Sequence, residues 1–350
     1  MCQAAIITCH DGYSHGASLQ AYALSKFIAD AGHTVSIINY KPGYLDGQYK
    51  LDTLCDPRFD YPGLRQLYFL AKLPGRLLSN GRKEYFDKFK STYLPLTTEC
   101  YHTLDELRSA DIRADILIAG SDQIWNTFLN NGHDPAFYLD FGPEKARRVS
   151  YGASFGSALL AHGSEPSVKK HLGLLDEISV RERTGVDLLR SLGYDGEHVC
   201  DPVFLLPADE WRELASGAEL PALPERYILT YDLEGSSLIT SQARARAREL
   251  RCPIISLGYP TPHSRHIVKA GPVEFLALFD GAKEIFSNSY HALAFSKIFG
   301  KSHNLIMRSD QSNARMLDLT GTNAEQLEAR IERSKNFLLS SLAMKMKTVS

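Results

Sequence analysis

Residues 4–40 switch twice between a strand-like and a helix-like hydrophobic period, and few folds accept that switch. Ala4-Ala5-Ile6-Ile7-Thr8 is a short β-rich apolar run, Asp11 to Gly16 is a polar turn containing glycine, and Ser18 to Ile28 has apolar residues at helical spacing. Gly32 closes the helix, and Thr34-Val35-Ser36-Ile37-Ile38-Asn39-Tyr40 forms a second strand. Strands that are apolar without alternation are buried on both faces. Joined by a crossover helix they run parallel, so the chain opens as a doubly wound α/β sheet.

The alternation is interrupted and then resumes. Residues 41–110 carry several prolines and glycines, aromatic and basic helical segments at Leu64 to Leu73 and Arg82 to Lys90, and no clear strand; they read as a helical insertion or lid. Ala114 to Gly120 is the next buried-strand run, followed by short strands at Arg148 to Ala153 and Glu177 to Arg181. Pro202, Pro207, Pro221 and Pro224, around a short helix at Trp211, mark a domain boundary. A second set follows, with strands at Tyr227 to Tyr231, Ile254 to Leu257 and Glu284 to Ser287 and helices at Thr240 to Leu250, Val273 to Phe279 and His291 to Phe299. The expected organisation is a Rossmann-like domain over 1–204, a second over 205–325, and a terminal helix over 326–350, with the two α/β domains facing each other across a cleft that holds the site.

Composition narrows the function. Against 41 Asp and Glu stand 39 Lys and Arg, a formal net charge of −2. The basic excess that a phosphate backbone demands is missing, so nucleic acid is not an expected partner. Six cysteines stand singly, without a C-x-x-C pair or a second ligand at short spacing, and no metal site is expected. The N-terminus lacks the charged start, apolar stretch and cleavage site of a signal peptide, which makes the cytoplasm, with reduced thiols, the expected compartment. No apolar run approaches the ~20 residues that span a bilayer, leaving at most peripheral membrane contact.

Five segments then follow one another along the chain: Gly16-Ala17-Ser18-Leu19-Gln20-Ala21-Tyr22-Ala23-Leu24, Gly120-Ser121-Asp122-Gln123-Ile124-Trp125-Asn126, Ser150-Tyr151-Gly152-Ala153-Ser154-Phe155-Gly156, Ile178-Ser179-Val180-Arg181-Glu182, and Ser287-Asn288-Ser289-Tyr290-His291-Ala292-Leu293-Ala294-Phe295-Ser296. In that order they resemble the successive motifs of the polysaccharide pyruvyl transferase family, over nearly the whole chain. The resemblance implies a GT-B-like fold with the acceptor on the N-terminal side and the donor on the C-terminal side. It implies pyruvate transfer from phosphoenolpyruvate onto a lipid-linked or nucleotide-linked sugar as a ketal, in cell-surface polysaccharide assembly, with no cofactor or metal. Such a transfer needs a general acid to protonate the methylene carbon of phosphoenolpyruvate, a hydroxyl to attack the oxocarbenium-like centre, and Arg, His, hydroxyl and helix N-terminal N–H groups around the donor anion.

The residue types supply candidates for each role. His291 follows a strand and opens a helix, with Ser287, Asn288 and Ser289 before it, at a strand's carboxyl end where open α/β sheets bind ligands. His291 is the expected acid and Ser287 and Ser289 the expected donor contacts; the alternative is a cap cluster serving only the fold. In several branches of the family an Arg lies two residues before this His, where this chain has Ser289. Arg181 would hold the donor anion, the alternative being an ion pair with Glu182, Glu177 or another carboxylate; Arg183 is a second candidate for the same work. Arg315, in an Asn-x-Arg pattern resembling the family's, would supply the charge missing at Ser289, against a plain surface role, and Arg308 is a candidate of the same kind. Asp122 would activate the acceptor hydroxyl, with Gln123, Ser121 and Asn126 near the sugar, while Trp125 would stack on a pyranose face or sit in the core. His15 and Gly16 would contact the acceptor, or the loop would lie in solvent; it lacks G-x-G-x-x-G, so a dinucleotide site is not supported.

Two other functions compete. A nucleotide-sugar glycosyltransferase of the same architecture would normally need a carboxylate or ribose-contacting group in the late loops of the second domain, and residues 287–291 offer none. A non-catalytic carbohydrate-binding relative would keep the fold and lose the chemistry, and Ser289 in place of Arg is its best support.

Overall fold

A computed structural model describes residues 1–46, 81–308 and 313–344. Two all-parallel sheets carry the chain. The first has the order β3-β2-β1-β4-β5-β6-β7, built from β1 (Gln3–Ile7), β2 (Thr34–Tyr40), β3 (Leu96–Tyr101), β4 (Ile116–Asp122), β5 (Arg147–Ala153), β6 (Ser179–Val180) and β7 (Glu197–His198). The second has the order β10-β9-β8-β11-β12, from β8 (Ile228–Asp232), β9 (Ile254–Gly258), β10 (Arg265–His266), β11 (Glu284–Ser287) and β12 (Ser302–Leu305). In each sheet the order reverses once, between β1 and β4 and between β8 and β11, leaving a crevice beyond the strands' carboxyl ends.

β3 corrects the expectation of a strandless stretch over 41–110. Its sequence, LTTECY, is polar because it is an edge strand paired only with β2, with a register shift between Ile37 and Asn39, so it lacks the continuous apolar run of a central strand. Residues 81–93 are helical, covering Arg82 to Lys90, whereas the helix expected at Leu64 to Leu73 lies outside the described residues.

The helix α1 (His15–Asp30) is buried nearly all round. It packs on its own sheet, on the turn at 202–204 and on the helix Pro272–Gly281 of the second unit. One apolar core therefore runs through both units, joining Ile6, Leu19, Leu24 and Ile118 to Leu229, Phe275, Ile285 and Phe295. After α2 (Arg183–Ser191), α3 (Pro272–Gly281), α4 (Tyr290–Ile298) and α5 (Ala314–Thr320), the terminal helix α6 (Ala324–Ala343) returns to the first sheet. There Ser334 Oγ accepts from Cys200 N at 2.8 Å and the Ser341 carbonyl accepts from Arg147 Nη1 at 2.7 Å. No described helix is long and apolar enough to cross a membrane.

Candidate functional site

The two reversal points face each other. Tyr13, Ser14 and Gly16 follow β1, Asp122 and Gln123 end β4, Tyr231 and Leu233 end β8, and Ser289, Tyr290 and His291 follow β11; together with Arg82, Arg308, Arg315 and Met316 they enclose a cavity of about 430 Å³. That size suits a small-molecule substrate. Ser14 and Ser289 are the N-caps of α1 and α4, and neither hydroxyl bonds its own helix. First-turn N–H groups of two helices are thus left for an anion between them.

His291 sits where the two units touch. A Cβ added to Gly16 would lie 1.9 Å from His291 Nδ1 and 2.3 Å from Cε1, so only glycine lets α1 approach the imidazole. On the opposite edge Nε2 lies 3.5 Å from Asp201 Oδ2, within ion-pair range and long for a hydrogen bond. Asp201 is fully buried; burial alone would raise its pKa, but Arg181 and His291 hold the carboxyl well below the usual range. Arg181 Nη1 donates to that carboxylate, and Nη2 donates to Asp122 Oδ1 at 3.2 Å.

Among the described residues three guanidinium groups line the cavity, and Arg315 differs from the other two in its polar contacts. It is 6 % accessible, has no hydrogen bond or ion pair to a described residue, and leaves Nε buried without a partner. Burial, helped by the charge of Arg181, pushes its pKa down to about 10. Its guanidinium lies 5.4 Å from the Tyr290 ring centroid and that of Arg181 lies 5.0 Å from the same ring. Arg82 Nη2 donates to Tyr13 O at 3.2 Å and Arg308 Nε to Glu234 Oε1 at 3.2 Å. Among the described residues the one carboxylate on the wall, Asp122, is already engaged by Arg181 and holds a left-handed φ of 75°, a conformation that costs energy at a non-glycine residue.

Of the residues expected from sequence, His291, Asp122, Ser289, Arg315, Gly16, Gln123 and Arg308 meet at this cavity. Others do not. Arg181 has no exposed side-chain surface and stands behind the wall, paired with Asp201 and Asp122 rather than Glu182 or Glu177. Arg183 starts α2 and points to other surface hollows. Ser287 is buried, its hydroxyl donating to Tyr231 O at 2.6 Å and accepting from Ser289 N at 3.0 Å. Ser121 donates to Gly152 O at 2.9 Å beneath the site. Trp125 is in the core, stacked on Tyr138 at 5.4 Å and donating to Phe137 O at 3.0 Å, so no pyranose reaches it. Asn126 closes its own turn through Gln123 Oε1 at 2.8 Å and Phe128 N at 3.0 Å. His15 is buried between the units: Nδ1 lies 3.0 Å from the Tyr231 hydroxyl, Nε2 lies 3.1 Å from Ala270 O, and the ring stacks on Phe275. A ring nitrogen facing a carbonyl must donate, and burial, then Arg82, drives the pKa well below the ordinary value; the ring is therefore neutral, with Nδ1 accepting from the Tyr231 hydroxyl.

Sequence reasoning missed Asp201, Tyr13, Ser14, Arg82, Tyr231 and Tyr290. Asp201 carried a usable signal, an Asp directly before Pro202 after a strand, which starts a turn by accepting Val203 N at 3.1 Å. Among the described residues no group of three His, Cys, Asp or Glu is placed to hold a metal ion.

Comparison with known proteins adds a family. The sequence model described as polysaccharide pyruvyl transferase matches residues 15–310. No curated protein matches the chain. Solved structures similar to it include a Staphylococcus aureus MnaA–UDP complex, at 12 % identity and TM-score 0.49 over 97 % of this chain and 88 % of that one. UDP-GlcNAc 2-epimerase from Neisseria meningitidis bound to UDP-GlcNAc gives 10 %, 0.47, 97 % and 98 % in the same order. The Methanocaldococcus jannaschii UDP-GlcNAc 2-epimerase gives 13 %, 0.46, 95 % and 93 %.

Proposed function

The chain belongs to the polysaccharide pyruvyl transferase family, and we propose that it moves pyruvate from phosphoenolpyruvate onto a sugar diol as a cyclic ketal. The observation that carries this reading is Arg315, a buried cation without a carboxylate partner, in the same cavity as the imidazole of His291. A buried charge left unpaired is costly, and a compact ligand bearing a phosphate and a carboxylate would remove that cost. Arg82, Arg308 and the first turns of α1 and α4 surround the same space.

In this reading His291, as imidazolium, gives its proton to the methylene carbon of phosphoenolpyruvate, and the neighbouring carbon becomes oxocarbenium-like. An acceptor hydroxyl adds there and loses its proton towards Asp122. Phosphate then leaves with the C–O bonding pair, and a second hydroxyl adds to the oxocarbenium centre so formed, closing the ketal and returning its proton to the neutral His291 imidazole, while Asp122 passes its proton to the departing phosphate. Arg315 and the helix N-termini hold the phosphate as its negative charge grows, an arrangement of fixed donors that water cannot supply without reorganising. Ser289 leaves the wall neutral where other branches carry Arg, and Arg315 occupies the same cavity. The family implies a polysaccharide acceptor; a lipid-linked or nucleotide-linked sugar, handled in the cytoplasm for cell-surface assembly, is the form we propose.

The test is release of inorganic phosphate from phosphoenolpyruvate with a panel of aryl glycosides bearing free diols, and mass spectrometry of the product. Phosphate release matched by a ketal adduct is expected. Transfer from a uridine-diphosphate sugar in its place would overturn the reading.

A further inference from the structure

His291 is held from behind as well as met from in front. Among the described residues its buried Nε2 faces the Asp201 carboxylate, at 3.5 Å, while the Nδ1 edge turns to Gly16, which lines the cavity together with His291. Asp201 has no exposed side-chain surface and is not among the residues that line the cavity. Its second oxygen accepts Val203 N at 3.1 Å, which fixes the carboxylate on the turn that follows β7.

We propose that Asp201 is the positioning residue of this site: it fixes the His291 ring with the Nε2 proton turned inward and so leaves Nδ1 as the nitrogen that delivers the proton to substrate. The inference rests on His291 being the acid. The other groups facing the ring are consistent with it. Tyr290, beside it on α4, is edge-on at 5.2 Å between ring centroids; His15, on α1, is neutral; Asp122 and Arg315 lie on the cavity wall, and Arg181 stands beyond Asp201. Asp201 is therefore the carboxylate that faces the imidazole directly, at 3.5 Å. Arg181, paired with both Asp201 and Asp122, keeps that carboxylate from turning away.

The experiment compares wild type with Asp201→Asn in phosphate release from phosphoenolpyruvate with the aryl glycoside panel. Asp201→Asn should lower kcat by about 10²–10⁴-fold and leave KM for phosphoenolpyruvate nearly unchanged. A folded variant with unchanged kcat, or one whose loss falls on KM instead, would overturn the proposal. Should Asp201→Asn not fold, the wild type alone decides through 15N-edited proton spectra at acid pH. A slowly exchanging proton on His291 Nε2, lost in His291→Gln, is expected, and its absence overturns the proposal. Failure of the acid assignment itself shows differently: His291→Gln would then turn over at the wild-type rate.

Discussion

Replacing Gly16 by alanine should disable the enzyme without unfolding it. Gly16 is in the first turn of α1 and has no left-handed φ, so nothing in its own backbone opposes a side chain, and alanine is the better helix former by up to ~1 kcal/mol. The obstacle is His291. The added carbon would stand 1.9 Å from Nδ1, and ordinary contact begins at 3.4 Å, so ring and helix must separate by the difference, 1.5 Å. The imidazole has little room to retreat, because Asp201 lies 3.5 Å behind Nε2. Displacement of a reacting group by ~1 Å typically costs on the order of 10²-fold in rate, and overpacking costs ~1–3 kcal/mol of stability. Gly16→Ala should therefore lose at least about a hundredfold in kcat/KM for phosphate release while keeping a cooperative thermal transition. Turnover within a few-fold of wild type would show that the His291 ring position does not govern the chemistry.

Three further outcomes are expected. Arg315→Met should raise Tm in the absence of ligand, since burial opposes this cation and no hydrogen bond or ion pair to a described residue offsets it, and should abolish stabilisation by phosphoenolpyruvate; an unchanged ligand shift would take Arg315 out of the donor site. Asp122→Asn should cost ~10²-fold or more in turnover if that carboxylate takes the acceptor proton, and full turnover would remove it from the mechanism. Acid should unfold the protein through its neutral imidazoles. Burial lowers His15 far below its ordinary value, and burial with Lys297 nearby lowers His303 to about 4. Folded-state values below the unfolded ~6.5 mean the stability is complete above that pH and is lost as pH falls below it. For His303 the loss reaches on the order of 3 kcal/mol near pH 4, at ~1.4 kcal/mol per unit. His303→Gln should flatten the fall of Tm between pH 7 and 4, and an identical fall in that variant would contradict the assignment.

The central strands were legible because they are apolar without alternation: the sequence readings of β2 and β11 end where the strands do, at Thr34–Tyr40 and Glu284–Ser287. β3, β7 and β12 were not, because edge and two-residue strands carry polar, half-exposed sequences. At the site, strand ends were legible and side-chain directions were not. Ser121 and Asp122 are adjacent at the end of β4, yet one hydroxyl bonds inward to Gly152 and the other side chain reaches the cavity. Arg181 shows the same limit. A guanidinium at a strand end suits an anion or a carboxylate equally, and only the position of Asp201, twenty residues on, decides between them. Tyr13, Ser14 and Arg82 reach the cavity from a loop and a helix whose packing against α1 no local pattern encodes.

The most direct measurement is thermal unfolding of the wild-type protein with phosphoenolpyruvate and, in parallel, with a uridine-diphosphate sugar. At ~100 times its Kd a ligand adds about 2.7 kcal/mol to the stability of the folded state. Stabilisation by phosphoenolpyruvate that vanishes in Arg315→Met is the expected result. Stabilisation by the nucleotide sugar, with none from phosphoenolpyruvate, would contradict the assignment of this cavity to a pyruvyl donor.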